Sequence, residues 1–174
     1  VLALAGCKKK AGGPDRSDGK LPALTAARVA PGSVVVDGKL DEKVWSKAGR
    51  TGAFVHPGSG KPVAGSPVRA EGRFLWDGAT LYVGFVVHDA KPTSPFKRDD
   101  VDPHVWARAS GVELMIQPGD PGDNRFYYEI QVDVNEAVWD TRFDDYNRPR
   151  RRVGGKMRYG HQGWSAAVKR RVVV

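Results

Sequence analysis

Four residues of this sequence could together bind a hydroxyl-rich ligand: Trp106, Glu113, Gln131 and Asp133. Trp106 lies in an apparent loop, where an indole ring either covers a core or offers a flat platform. The C–H bonds of a sugar ring can stack on such a platform, because an aromatic face combines apolar area with a negative potential. Carboxylate and amide groups beside the ring can bind the surrounding hydroxyls. The set therefore indicates ligand binding.

Two predicted strands position the polar members of this set. Residues 111–117 alternate in polarity, and Glu113 is expected to point away from the core beside Trp106. Residues 125–134 alternate more regularly, so Gln131 and Asp133 share one face of their strand with Tyr127 and Glu129. The opposite face carries only apolar or aromatic side chains: Phe126, Tyr128, Ile130, Val132 and Val134.

The remaining chain also predicts short strands joined by turns. Residues 68–76 and 80–88 flank an Asp-Gly-Ala turn and predict a β-hairpin. Residues 33–36 and 163–168 are expected to form strands, and residues 137–140 continue a strand after a turn. Asp41 is expected to cap a short helix that buries Trp45. We expect Trp76 and Trp164 to be core residues as well.

Composition supports one domain of the all-β class. The chain has 174 residues, of which 40% are hydrophobic, with 21 Gly and 12 Pro favouring turns over long helices. No βαβ pattern occurs, so we expect an antiparallel β-sandwich of the jelly-roll or immunoglobulin-like type. The single cysteine excludes an intrachain disulfide.

The net charge of +8 is concentrated in three basic blocks, at residues 8–10, 148–152 and 169–171. These blocks are either solvated surface or an anion-binding site. No nucleic-acid-binding pattern accompanies them, so we expect no nucleic-acid partner.

The first residues resemble the end of a bacterial lipoprotein signal peptide. Residues 4–7 read Leu-Ala-Gly-Cys, which is similar to a lipobox, and Cys7 would carry the lipid. We interpret residues 1–7 as a signal-peptide remnant and residues 8–32 as a flexible linker. The folded domain would then span residues 33–174, anchored to the cell envelope, with the outer membrane as the expected location.

The domain resembles carbohydrate-binding module family 9. Its opening is similar to residues 35–45, with an apolar-Asp-Gly motif, then Asp-Glu and Trp. The hairpin at residues 74–85 with Asp89, the segments 98–100, 106 and 112–116, and residues 127–133 with Asn135 follow in order. The resemblance covers about residues 33–168 and implies a β-sandwich that binds sugar without cleaving it and that could deliver polysaccharide to a partner glycosidase.

The resemblance also implies roles for individual residues. Trp106 stands where the family has one of two clamping tryptophans, and Glu113 stands where it has a hydroxyl-binding glutamate. Gln131 replaces a basic residue of sugar-binding relatives. The second clamping tryptophan comes from a C-terminal part of that fold, so we expect this sandwich to be cut short at Val174.

Several alternatives remain open. The chain could be a structural envelope lipoprotein that keeps the fold without a sugar site. It could hold haem b through Met115 or Met157 with a histidine opposite. No cofactor is required by the sequence, but structural calcium could bind the aspartate-rich loops at residues 99–102 and 120–124. Glu113 and Glu129 could share a face, yet no catalytic motif appears, so we expect no enzyme activity.

Overall fold

The protein is an all-β chain. The computed structural model describes residues 2–3, 23–66, 68–119 and 125–174, and the fold class agrees with the sequence-based prediction. Contacts divide the chain into two compact units, one formed mainly by residues 92–172 and the other by residues 10–91. Each unit has its own sheet and its own apolar cluster.

The elements of the chain are, in order, β1 (Leu2–Ala3), β2 (Ala27–Arg28), a 3-10 helix (Lys43–Lys47), β3 (Gly49–Arg50), β4 (Arg69–Trp76), β5 (Leu81–His88), α1 (Val105–Arg108), β6 (Gly111–Ile116), β7 (Tyr127–Asp133), β8 (Val138–Phe143), β9 (Arg150–Val153) and β10 (Lys156–Tyr159). The strands at 111–117, 125–134 and 137–140 are thus confirmed within a few residues.

The unit of residues 92–172 is organised by a sheet in the order β1-β6-β7-β8. Strand β7 is antiparallel to both β6 and β8, whereas β1 pairs in parallel with β6. Four side chains form the buried cluster of this unit: Val105, Tyr127, Trp139 and Phe143. The cluster lies on the face of β7 that also carries Glu129, Gln131 and Asp133, all of them buried.

This burial reverses the expectation for Glu113. The sequence predicted that its side chain points away from the core, but Glu113 is half-buried on the same face as Met115, which packs against the aromatic cluster. The reason is that α1 and its loop cover this face. Val105 approaches so closely that a Cβ at Gly111 would lie 2.9 Å from its Cγ1 atom.

The unit of residues 10–91 is centred on β4. Strand β5 pairs with β4 along its whole length, which confirms the predicted hairpin, and β2 and β3 pair with its other edge. The buried cluster of this unit comprises Val29, Trp45, Ala48 and Leu75. Trp45 is therefore a core residue as predicted, and its indole N–H donates to Glu42 Oε2 at 2.8 Å.

Several local predictions for this unit were wrong. Residues 33–36 form no strand, because the Val35 N–H donates to the Glu42 carboxylate (2.7 Å) instead of a neighbouring strand. The N-cap position of the helix is Glu42, not Asp41. The linker was expected to reach residue 32, but β2 and buried Val29 already belong to the fold. Trp76, an expected core residue, is 40% exposed.

The C-terminal segment also differs from its prediction. Residues 163–168 were expected to be a strand but have no regular secondary structure. They are held by Asp140, whose carboxylate accepts hydrogen bonds from Ser165 Oγ and the Ala166 N–H at 3.0 and 2.8 Å. Trp164 is half-buried, and its ring centroid lies 4.6 Å from that of Tyr128.

The basic block at residues 148–152 leads into a hairpin of β9 and β10. Gly154 and Gly155 both have positive φ angles, 55° and 77°, as a two-residue type I′ turn requires. No helix among the described residues is long and apolar enough to cross a membrane.

Candidate functional site

The expected site residues lie in cross-strand rows on one face of the β6-β7-β8 sheet, which we call the site face. One row joins Glu113, Gln131 and Trp139, and the next joins Met115, Glu129 and Thr141. Because directly paired side chains are about 5 Å apart at Cβ, each row brings its members into contact range. The sheet register therefore brings Glu113 and Gln131 together, as the sequence predicted.

Trp106 covers this face from the one-turn helix α1 rather than from a loop. Its indole ring stacks on His104 (4.6 Å between centroids, 25° between planes) and meets Trp139 edge-on at 4.6 Å. Tyr159 completes an aromatic group, 5.8 Å from Trp106. Trp106 is 40% exposed and His104 is also exposed, whereas Trp139 beneath them is 2% exposed. The group presents an aromatic surface to solvent above a buried indole ring.

Gln131 fixes the position of Trp106. Its Oε1 accepts the backbone N–H of Trp106 at 3.0 Å, and its Nε2 donates to Glu129 Oε1 at 2.7 Å. Gln131 is 1% exposed, so both ends of its amide serve the protein itself. Gln131 is thus a positioning residue for the aromatic surface and is not accessible as a direct ligand contact, which corrects the sequence-based expectation.

Two carboxyl groups on the site face, those of Glu113 and Glu129, have pKa values above their ordinary values. Burial raises the pKa of Glu129 to about 7, although the hydrogen bond from Gln131 opposes this change. Burial also raises the pKa of Glu113, and the two carboxyl groups repel each other when charged. Of the two, Glu113 is the more exposed, and its carboxyl group can form hydrogen bonds with ligand hydroxyls.

Asp133 has a structural role, contrary to the expected ligand contact. Its carboxylate accepts hydrogen bonds from Ser94 Oγ, the Asn135 N–H (3.0 Å) and the Ala137 N–H (2.7 Å), and it is 1% exposed. These bonds close the turn between β7 and β8. Because these bonds tie both carboxylate oxygens to the protein, Asp133 is removed from the candidate site.

A buried donor near the aromatic group has no partner. Among the described residues, the Trp139 indole N–H makes no hydrogen bond. An unpaired buried donor costs about 1–3 kcal/mol, so most buried donors in folded proteins have a partner. This donor lies in the same row as Glu113 and Gln131, directly below Trp106.

The cofactor alternatives gain no geometric support from the described residues. No group of three or more His, Cys, Asp or Glu side chains in that part of the chain could hold a metal ion. Asp120, Asp123 and Asn124 lie outside the described residues, and so does Cys7. Met115 packs in the aromatic cluster and Met157 is exposed on the β9-β10 hairpin.

Sequence reasoning missed three members of the aromatic group: His104, Trp139 and Tyr159. His104 lies two residues before Trp106, and the row of Trp139 follows from the β7-β8 pairing. The Gly-Gly pair at 154–155 is the signal that could have revealed Tyr159, because a two-residue turn fixes which residues pair across the hairpin. No family model, curated protein or solved structure matches this chain.

Proposed function

We propose that this chain is a non-catalytic carbohydrate-binding module. The observation that carries the proposal is the exposed aromatic surface of Trp106 and His104, held over a buried face that contains Glu113 and Glu129. A sugar ring stacks on an exposed indole, and its hydroxyls need polar partners beside the ring. The resemblance of the sequence motifs to carbohydrate-binding module family 9 points to the same class of ligand.

The carboxyl groups of the site face support binding rather than hydrolysis. Glycoside cleavage uses two carboxyl groups that flank the scissile bond and reach it directly. Glu129 is 7% exposed and is engaged by Gln131, so it is withdrawn from a substrate. Glu113 is half-buried and pairs across the sheet with Gln131, so of the two glutamates it is the more accessible to a ligand.

Isothermal titration calorimetry with a panel of neutral and acidic oligosaccharides tests this proposal. Trp106→Ala removes the stacking surface but keeps the backbone N–H bonded to Gln131, so the fold is expected to persist. Loss of one aromatic platform removes about 1.5–3 kcal/mol, which raises Kd by about 10- to 100-fold.

Trp76→Ala is the matched control, because Trp76 is also 40% exposed but belongs to the unit of residues 10–91. The proposal predicts that this variant binds like the wild type. Equal losses in both variants, or no binding by folded wild-type protein, would contradict the proposal and favour a structural role.

We further propose that Cys7 carries a lipid and anchors the module to the bacterial envelope. The support is the lipobox-like run at residues 4–7, followed by Gly, Pro and Lys residues typical of a tether. Metabolic labelling with a fatty acid in a bacterial host should mark the wild type and not Cys7→Ser. Equal labelling of the two proteins would refute the anchor.

A further inference from the structure

The β9-β10 hairpin carries more positive charge than the acidic side chains around it balance. Among the described residues, Asp144 acts on Arg151 at longer range and through His161, and Asp102 acts on Arg158 at longer range. Its strands contain Arg150, Arg151, Arg152, Lys156 and Arg158, and residues 146–174 include no Asp or Glu. In the described part of the chain, none of these five cations has a carboxylate oxygen within 4 Å, although Arg171 of the tail does pair with Glu136. All five are exposed, so the hairpin presents a concentrated positive surface.

The pairing of the hairpin places like charges opposite each other. Arg151 pairs directly with Arg158, and this register is set by the Gly154-Gly155 turn. Like charges in direct cross-strand pairs destabilise a hairpin. An anionic ligand group between the two guanidinium groups would reverse that repulsion, and guanidinium binds carboxylate or sulfate through paired hydrogen bonds.

The hairpin adjoins the aromatic surface through Tyr159. The Tyr159 ring lies 5.8 Å from Trp106 and 6.4 Å from His104. On the hairpin, Arg150 lies opposite Tyr159, with its guanidinium 5.2 Å from the ring centroid and a 2.8 Å hydrogen bond to the hydroxyl. The groups of a ligand that neighbour the ring stacked on Trp106 would therefore reach the basic hairpin.

We propose that the ligand of this site is an acidic polysaccharide, with its sugar ring on Trp106 and its carboxylate or sulfate groups bound by the β9-β10 hairpin. This inference rests on the proposed carbohydrate-binding function. The half-buried Glu113 pairs across the sheet with Gln131, which bonds to the Trp106 backbone, and its carboxyl group can form hydrogen bonds with the hydroxyls of such a polysaccharide chain.

The test compares oligosaccharides with and without their charge. Oligomers of galacturonate, alginate oligomers and heparin fragments are titrated at low and high NaCl, and the two uronates are also titrated as methyl esters. Wild-type protein should bind at least one acidic oligomer about tenfold or more tightly than its neutral form, with affinity falling as salt rises. For heparin, the neutral form is the desulfated, N-acetylated and esterified fragment.

Two double variants assign the charge effect to the hairpin. Arg151→Gln with Arg158→Gln should reduce the acid-to-neutral affinity ratio toward one. Lys61→Gln with Lys91→Gln removes the same charge from exposed positions in the unit of residues 10–91 and should keep the wild-type ratio.

The possible outcomes distinguish failure of this inference from failure of the proposed carbohydrate-binding function. Equal affinity for acidic and neutral oligomers, with sensitivity to Trp106→Ala, would overturn the inference and leave carbohydrate binding standing. Absence of binding to every oligomer would overturn both. The protein could instead bind single-stranded DNA or phosphatidylglycerol vesicles more tightly than any acidic oligomer, in a way that depends on the hairpin. That result would overturn the acidic-polysaccharide assignment in favour of those ligands.

Discussion

Glu129 is the residue whose charge state most affects the stability of the site. Burial raises the pKa of Glu129 from 4.5 to about 7. Between pH 4.5 and about pH 7, the folded protein therefore keeps a proton on Glu129 that the unfolded chain has released. Stability should therefore fall as pH rises from about 4.5 to about 7 and then level off. The shift corresponds to at most about 3.5 kcal/mol, since each pKa unit is worth about 1.4 kcal/mol.

Glu129→Gln should remove most of this pH dependence. The neutral side chain keeps an oxygen that can accept the hydrogen bond from Gln131, and it carries no charge to bury. Urea unfolding at pH 5, 6, 7 and 8 measures the effect. A variant that keeps the full wild-type slope would show that another group is responsible; Glu113, whose pKa is also raised, is the first to examine.

We expect substitution of Asp133 to cause a large loss of stability. Asp133→Ala leaves the buried Ala137 N–H, the Asn135 N–H and the Ser94 hydroxyl without their acceptor, so we expect about 2–4 kcal/mol of destabilisation. Asp37→Ala is the matched control, because Asp37 is exposed and accepts one turn N–H, from Lys39. Chemical denaturation should place its effect below about 1 kcal/mol, and similar losses in the two variants would argue against the structural role of Asp133.

At the scale of elements, the β9-β10 hairpin depends on its turn. Gly154→Val forces a β-branched residue into positive φ and should open the hairpin, whereas Gly154→Asn suits a type I′ turn. Trypsin cleavage within residues 150–158, located by mass spectrometry, reports this opening because the hairpin is rich in Arg. We expect cleavage to accelerate about fivefold or more in Gly154→Val. Equal rates for the two variants would contradict the assigned turn.

The sequence predicted the position of strand β7 but not the environment of its side chains. Alternation of Tyr127, Glu129, Gln131 and Asp133 with apolar residues correctly placed these four on one face. Whether that face is solvated depends on α1, which covers it, and no local pattern encodes this contact. Polar residues are expected at the surface unless they are hydrogen-bonded, and here Gln131 and Asp133 are bonded to the covering segments.

At the scale of the whole molecule, composition was enough to predict the all-β class but not the division into compact units. Turn-rich composition and short alternating segments identified β4 to β8. The aromatic group needed tertiary information, since His104, Trp139 and Tyr159 come from three different elements. The basic hairpin was visible only as a charge block, because its ordering depends on one Gly-Gly turn.

The central claim is that sugar binds on Trp106, and the indole N–H signals of the five tryptophans test it most directly. Single Trp→Phe variants assign these signals in a ¹H–¹⁵N spectrum. Titration with a bound oligosaccharide should shift the signals of Trp106 and of Trp139 beneath it, leaving Trp45 and Trp76 unmoved. Saturating ligand that leaves Trp106 and Trp139 unchanged, or moves Trp76 instead, would contradict the proposed site.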